Sequence, residues 1–183
     1  GHHKNLVIAA TGTGKTVIAA LDYKRLCEKA GRRPSLLFVA HRREILEKSR
    51  ATYRAALGDS GFGEMLPGLD KPLLGQHVFA NIQSLHSRRL DALRPDAYDV
   101  VVVDEFHHSE ARTYTALLSH LRPQVLLGLT ATPERTDGQS VLHWFGDRIA
   151  AESRLWDALD QGLLVPFQYF GVDDQTDLSQ IDF

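Results

Sequence analysis

The sequence predicts an α/β domain with a mostly parallel central sheet flanked by helices. Short apolar or β-branched runs alternate along its 183 residues with stretches of helical periodicity. A glycine-rich turn joins the first apolar run directly to the first helical stretch, and polar residues follow several of the other runs. Because binding sites in parallel sheets lie at the carboxyl ends of the strands, these polar residues indicate the functional edge.

The elements are predicted in chain order from the alternating pattern. Each predicted strand is a run of apolar or β-branched residues: 6–8, 36–40, 78–81, 100–103 and 125–129. Each is followed by a predicted helix: 16–26, 43–56, a short helix after 81, 111–121 and 138–144.

The remaining segments are predicted to lie outside this framework. Residues 58–75 are rich in glycine, proline and aspartate and are predicted to form an exposed loop that could hold a small strand. Residues 1–165 are predicted to form one domain, and 166–183 a tail or linker. The tail has one β-like piece, 167–170, followed by an acidic, polar run.

The motif AATGTGKT follows the first strand and resembles the phosphate-binding pattern G-x-x-x-x-G-K-[ST]. Ala9 replaces the first glycine, which is tolerable because alanine is small, provided that its backbone is in an ordinary conformation. The alternative is a strand-to-helix turn without a ligand, which would not require a lysine followed by a threonine. The residues predicted to bind the phosphates are Thr11, Gly12, Thr13, Gly14, Lys15 and Thr16.

The sequence VVVVDE places two carboxylates, Asp104 and Glu105, where another apolar strand ends. In a phosphate-loop enzyme such an aspartate and the loop Thr16 hydroxyl hold Mg²⁺, and the adjacent glutamate can polarise the attacking water. The motif alone is weak, because any buried strand can end in an acidic turn. Together with the phosphate loop, it predicts an ATP site with Mg²⁺.

Two neighbouring features leave more than one interpretation. His107 and His108 could be metal ligands, but adjacent side chains on an extended segment point apart and no H-E-x-x-H motif is present, so a structural metal is disfavoured. Thr130 and Thr132 could hydrogen-bond the acidic strand end and link the nucleotide to another surface. A simple Ser/Thr turn before Pro133 explains them equally well.

Composition excludes several classes of protein. The formal charge of −2 excludes a uniformly basic nucleic-acid coat, so any such binding must be local. No apolar run approaches the roughly 20 residues of a membrane span, so no membrane association is expected. The lone Cys27 gives no disulfide framework and favours a reducing compartment, which we predict to be the cytoplasm.

Five motifs in order resemble those of superfamily 2 helicases: AATGTGKT, FVAHRREIL, FANIQSL, VVVDEFHH and LGLTATPER. The chain resembles the N-terminal RecA-like, ATP-binding domain of a DExH helicase, of the branch shared with type III restriction subunits. The resemblance implies catalytic roles for Lys15, Asp104, Glu105 and His107. It also implies a coupling role for Thr130, Ala131 and Thr132.

A nucleic-acid track is predicted at two further strand ends. His41, Arg42 and Arg43 open a helix, so that positive side chains and terminal amides can both meet a phosphate; a solvated helix start is the alternative. Asn81, Gln83 and Ser84 are neutral hydrogen-bonding residues at the end of another strand. In helicases with similar motifs, these two segments follow the backbone of one strand without reading bases.

The resemblance implies ATP hydrolysis coupled to movement along nucleic acid, with DNA favoured over RNA because TATPER is restriction-like. A second RecA-like domain of the full-length protein would be required, because no Q-x-x-G-R-x-x-R motif is present here. This chain alone is therefore expected to hydrolyse ATP weakly or not at all. The alternatives are a non-motor phosphate-loop ATPase acting on protein or small molecules, and a non-catalytic binding module.

Overall fold

The computed structural model describes residues 3–66, 75–85, 87–105, 111–131 and 141–165. Within these ranges the predicted α/β class is confirmed, because seven parallel strands form one sheet in the order β3-β4-β2-β5-β6-β1-β7. The strands are β1 Lys4–Ala9, β2 Leu36–Ala40, β3 Glu64–Met65, β4 His77–Asn81, β5 Val100–Asp104, β6 Val125–Thr130 and β7 Ile149–Ser153.

The helices connect the strands. The α-helices are α1 Lys15–Ala30, α2 Arg43–Leu57, α3 Ser87–Ala92, α4 Ala111–His120 and α5 Leu155–Asp160; short 3₁₀ helices cover Ile82–Ser84 and Leu142–Phe145. No helix among the described residues is long and apolar enough to cross a membrane.

Apolar side chains cover both faces of the sheet, as expected for parallel strands. On β1, Leu6 and Ile8 pack in one buried cluster, whereas Val7 and Ala9 pack in the other. The first cluster includes α4 residues such as Tyr114, and the second includes residues of α1 and α2. The central strands are therefore held from both sides, and their carboxyl ends meet at one edge.

Two segments differ from the sequence-based expectation. β7 and α5 were not predicted, because β7 is mostly exposed and carries no apolar alternation. The helix predicted over 138–144 is, in the described residues, the 3₁₀ helix Leu142–Phe145, which ends at Gly146 with φ +67°. The small strand within 58–75 is observed as β3, and the predicted tail 166–183 lies outside the described residues.

Candidate functional site

The predicted phosphate loop lies between β1 and α1, at the carboxyl edge of the sheet. Gly12 and Gly14 each have φ +90°, a left-handed conformation that favours glycine. Ala9 is the last residue of β1 and is absent from the described non-glycine residues with positive φ, which explains why alanine is tolerated there. Thr13 closes the turn, since its Oγ1 donates to the Ala10 carbonyl at 2.7 Å.

The N-terminus of α1 faces the same loop. Its N-cap is Gly14, and no side chain caps the first turn. The first amide groups of a helix have no partner within the helix, and they attract anions together with the helix dipole. The loop and α1 therefore have the local structure that phosphate binding requires.

Lys15, the first residue of α1, is buried against the loop with 8% of its surface exposed. Its Nζ donates to the carbonyl oxygens of Ala9 at 2.8 Å and Ala10 at 3.2 Å. Burial lowers the pKa of the Lys15 ammonium, and the nearby charges of Asp104 and Glu105 oppose this shift. The structure thus brings the loop lysine within electrostatic reach of both predicted carboxylates.

The two carboxylates lie at the end of β5. Asp104 is the last residue of the strand and only 4% exposed. Glu105 follows with φ +50°, an uncommon conformation for a side chain of this size that costs on the order of 1–3 kcal/mol. Its N–H donates to the Leu129 carbonyl of β6 at 2.9 Å, and this bond supports the unusual backbone turn.

His41 follows β2, the neighbour of β5 in the sheet. Its side chain is 17% exposed, and its Nδ1 lies 3.7 Å from Oε2 of Glu105, whose side chain is 23% exposed. The prediction grouped His41 with the two arginines on the nucleic-acid surface. The structure places its ring near the acidic strand end.

Arg42 and Arg43 lie at the N-terminal end of α2. Arg42 is the N-cap, is exposed, and makes no hydrogen bond or ion pair through its guanidinium within the described ranges. Arg43 is also exposed, but its Nε donates to Oε1 of Glu47 at 2.8 Å, one turn along the helix. The two predicted phosphate contacts therefore differ, because Arg43 pairs with Glu47, whereas Arg42 has no partner in the part of the chain that the structure describes.

Asn81 uses both ends of its amide within the protein. Its Nδ2 donates to the His41 carbonyl at 2.7 Å, and its Oδ1 accepts from the Gln83 N–H at 2.8 Å. Gln83 is exposed and Ser84 half-buried in the 3₁₀ helix that follows. Asn81 thus ties the end of β4 to the end of β2.

Two further predicted site residues lie at the end of β6. Thr130 ends this strand, is 3% exposed and pairs in register with Ile8. Ala131 follows and is half-buried. His107 and Thr132 lie outside the described residues.

Two residues near the phosphate loop, Ser153 and Leu164, could not be identified from the sequence. The Ala10 N–H donates to the Ser153 carbonyl of β7 at 3.1 Å. A Cβ at Gly12 would lie 3.5 Å from Cδ2 of Leu164, which follows α5. Neither Ser153 nor Leu164 belongs to a motif, so no sequence signal could have identified them.

The model of one protein family, described as "Type III restriction enzyme, res subunit", matches residues 1–135. The chain belongs to this family. Membership confirms the resemblance to superfamily 2 helicases of the restriction branch that the five motifs indicated. The phosphate loop, the acidic strand end and β6 all lie within the matched residues.

Relatives of this family member include restriction and helicase proteins. The "Type I restriction enzyme EcoAI endonuclease subunit" of Escherichia coli is 27% identical over 97% of this chain and 22% of that protein. "Putative ATP-dependent helicase IRC3" of Saccharomyces cerevisiae is 29% identical over 96% of this chain and 27% of that protein. The chain therefore spans about a quarter of the length of these relatives.

Comparison with solved structures supports the RecA-like fold. A nuclease-deletion mutant of the type ISP restriction-modification enzyme LlaGI, in complex with a DNA substrate mimic, superposes with a TM-score of 0.64. The sequences are 14% identical, and the match covers 88% of this chain and 19% of that chain. At this identity the likeness concerns the fold alone.

Proposed function

We propose that this family member is the ATP-binding half of a nucleic-acid helicase or translocase, in which ATP hydrolysis drives movement along a strand. The observation that carries this proposal is that Lys15, at the start of α1, and Asp104 and Glu105, at the end of β5, lie at the same carboxyl edge of the parallel sheet. A buried cation, two carboxylates and free helix amides are the components that phosphoryl transfer requires.

In the proposed site, the amide groups of Thr11–Thr16 surround the phosphates of ATP. Lys15 exchanges the Ala9 and Ala10 carbonyls for outer phosphate oxygens, which are stronger partners because they are charged. Its side chain is already placed at the loop, so little reorganisation is needed.

The donor set suits Mg²⁺. The Thr16 hydroxyl and the buried Asp104 carboxylate are hard oxygen ligands, and Mg²⁺ is commonly held by one or two carboxylates together with substrate phosphates. When bound, the ion would neutralise charge on the phosphates.

Glu105 is the proposed general base. Its side chain is partly exposed at the sheet edge, so that it can reach a water, and the hydrogen bond from its own N–H to Leu129 fixes its backbone. The carboxylate accepts a proton from the water that attacks the γ-phosphate. We extend the proposed catalytic role to His107, as the helicase motif implies.

The proposed nucleic-acid surface is the β2–α2 junction with the end of β4. The Arg42 guanidinium, which has no ion pair among the described residues, and the α2 N-terminus are suited to backbone phosphates. Gln83 and Ser84 are proposed to contact the strand, whereas Asn81 acts through the His41 carbonyl. DNA rather than RNA is the proposed substrate, because relatives of the chain include a restriction enzyme subunit.

The whole protein requires more than this chain. We propose that residues 1–165 form the first RecA-like domain, that 166–183 lead toward a second one, and that Thr130, Ala131 and Thr132 couple the two activities. Without the second domain this chain is expected to turn over ATP weakly or not at all. The cytoplasm is the proposed location.

The test is ATP hydrolysis by the full-length protein, measured with and without single-stranded DNA or RNA of equal length. Lys15→Ala is expected to abolish Mg·ATP binding in calorimetry, whereas Lys24→Ala, which removes an exposed lysine of the same helix, is not. Equal ATP affinity in Lys15→Ala and wild type would contradict the site. ATPase without stimulation by either nucleic acid would instead favour a non-motor ATPase.

A further inference from the structure

We propose that His41 is a positioning residue that transmits nucleic-acid contact at Arg42 to the proposed base Glu105. This inference rests on the proposed function. It assigns to His41 a role in ATP hydrolysis, instead of the strand contact predicted from the sequence. Its basis is the set of contacts that converge on this residue.

The sheet itself places His41 beside Glu105. β2 and β5 are parallel neighbours, and Val39 lies opposite Val103 in their register. His41 and Glu105 each lie two residues beyond this last pair, just past the ends of their strands. Nδ1 and Oε2 are 3.7 Å apart, which is longer than a direct hydrogen bond but close enough for electrostatic attraction or for one bridging water.

The backbone of His41 is held on the side of the proposed nucleic-acid track. Its carbonyl accepts the Asn81 Nδ2 at 2.7 Å, and the next residue is the exposed N-cap Arg42. A phosphate that binds Arg42 and the first amides of α2 fixes the peptide that joins Arg42 to His41. His41 therefore has its main chain at the proposed nucleic-acid track and its ring beside Glu105, the proposed general base.

The position of the Glu105 carboxylate can respond to a change at His41. Its φ of +50° is an uncommon conformation that only the surrounding contacts maintain, so the direction of its carboxylate depends on those contacts. The Leu129 carbonyl accepts a hydrogen bond from the Glu105 N–H, and the His41 ring lies beside the carboxylate, with Nδ1 3.7 Å from Oε2. When nucleic acid fixes residues 41 and 42, the ring holds Oε2, and the carboxylate is aimed at the attacking water.

The experiment compares His41→Ala, His41→Asn and the exposed-histidine control His143→Ala in the full-length protein. Asparagine can place an amide donor near the position of the imidazole Nδ1. Four quantities are measured for each protein: the ATPase kcat with and without single-stranded DNA, the KM for ATP, and the Kd for single-stranded DNA.

His41→Ala is expected to lower the ratio of stimulated to basal kcat by about tenfold or more, because a positioned general base contributes roughly 10²–10⁴ in rate. The KM for ATP and the Kd for DNA should stay within about twofold of wild type. His41→Asn should recover most of the ratio, and His143→Ala should match wild type.

Two results would overturn the inference while leaving the proposed function intact. One is a stimulation ratio in both His41 variants within twofold of wild type. The other is a large loss of DNA affinity in His41→Ala that accounts for the lower ratio, since His41 would then be a direct contact. Absence of stimulation in the wild type would instead refute the proposed function itself, and the inference with it.

Discussion

Replacing Arg42 by alanine removes one exposed positive charge from the start of α2. The guanidinium has no internal ion pair or hydrogen bond in the described parts of the chain, so its loss leaves no buried group without a partner. The fold should therefore be unaffected. The expected effect is on the binding of single-stranded DNA by the full-length protein.

The magnitude follows from counterion release. Each phosphate contact to a single strand contributes about 0.7 to the slope of log affinity against log salt concentration. Arg42 is proposed to make one such contact, so Arg42→Ala should reduce the steepness of that slope by about 0.7. Over a fourfold rise in salt, from about 50 to about 200 mM, the fold-decrease in DNA affinity should be roughly 2.6 times smaller for the variant than for wild type.

The assay is a salt titration of binding by fluorescence anisotropy, with two oligonucleotides of equal length and different sequence. The loss should be similar for both, because a phosphate contact carries no base information. Lys48→Ala removes an exposed lysine farther along the same helix and is the matched control. Arg43→Ala should change the slope less than Arg42→Ala, because Glu47 already pairs with Arg43.

An Arg42→Ala slope equal to that of wild type would remove Arg42 from the track. A loss confined to one of the two oligonucleotide sequences would also refute the reasoning, because it would indicate base recognition. If Lys48→Ala reduced the slope as much as Arg42→Ala, the effect would be one of overall charge and would not locate the track.

Three further substitutions test the site and the fold. Glu105→Gln should retain Mg·ATP binding in calorimetry and lose hydrolysis, since the amide accepts protons poorly; turnover within about threefold of wild type would exclude Glu105 as the base. Gly128→Ala should lower the free energy of unfolding by about 1–3 kcal/mol in urea titration, because the added Cβ would lie 2.6 Å from Leu6 Cδ1. An unchanged urea midpoint would show that the neighbouring side chains move to accommodate the added Cβ. Hydrogen bonding to Arg32 lowers the pKa of the Asp99 carboxyl in the folded protein. The stability that the ionised carboxylate contributes to the fold is therefore complete above its unfolded-state pKa of about 3.9, and it is lost as the pH falls through the lower, folded-state pKa. Asp99→Asn should therefore lower the melting temperature more at pH 7 than at pH 3, and an equal effect at both would contradict this account.

The sequence was most informative where local structure and chemistry coincide. The central strands are buried on both faces and so appear as continuous apolar runs, such as the valines of β5. Gly12 and Gly14 occupy positions whose φ of +90° favours glycine, so the loop conformation is encoded residue by residue. The fold and the edge that carries the candidate site could therefore be predicted.

Long-range pairing could not be predicted in the same way. The contact between His41 and Glu105 depends on β2 lying beside β5, although β3 and β4 come between them in the chain. β7 is recognised by its hydrogen bonds to β1, since its own residues are mostly exposed. In both cases the information lies in the strand order.

The packing of β5 on both faces has a consequence for how the proposed catalysis would tolerate mutation. Val101 and Val103 pack in one apolar cluster and Val102 packs in the other, so side chains on both faces of the sheet hold the strand in place. The position of Asp104, at the end of the strand, therefore depends on apolar side chains on both faces of the sheet. Since a misplacement of about 1 Å can cost about 10²-fold in rate, we expect a small void beneath either face to slow ATP hydrolysis at the proposed site.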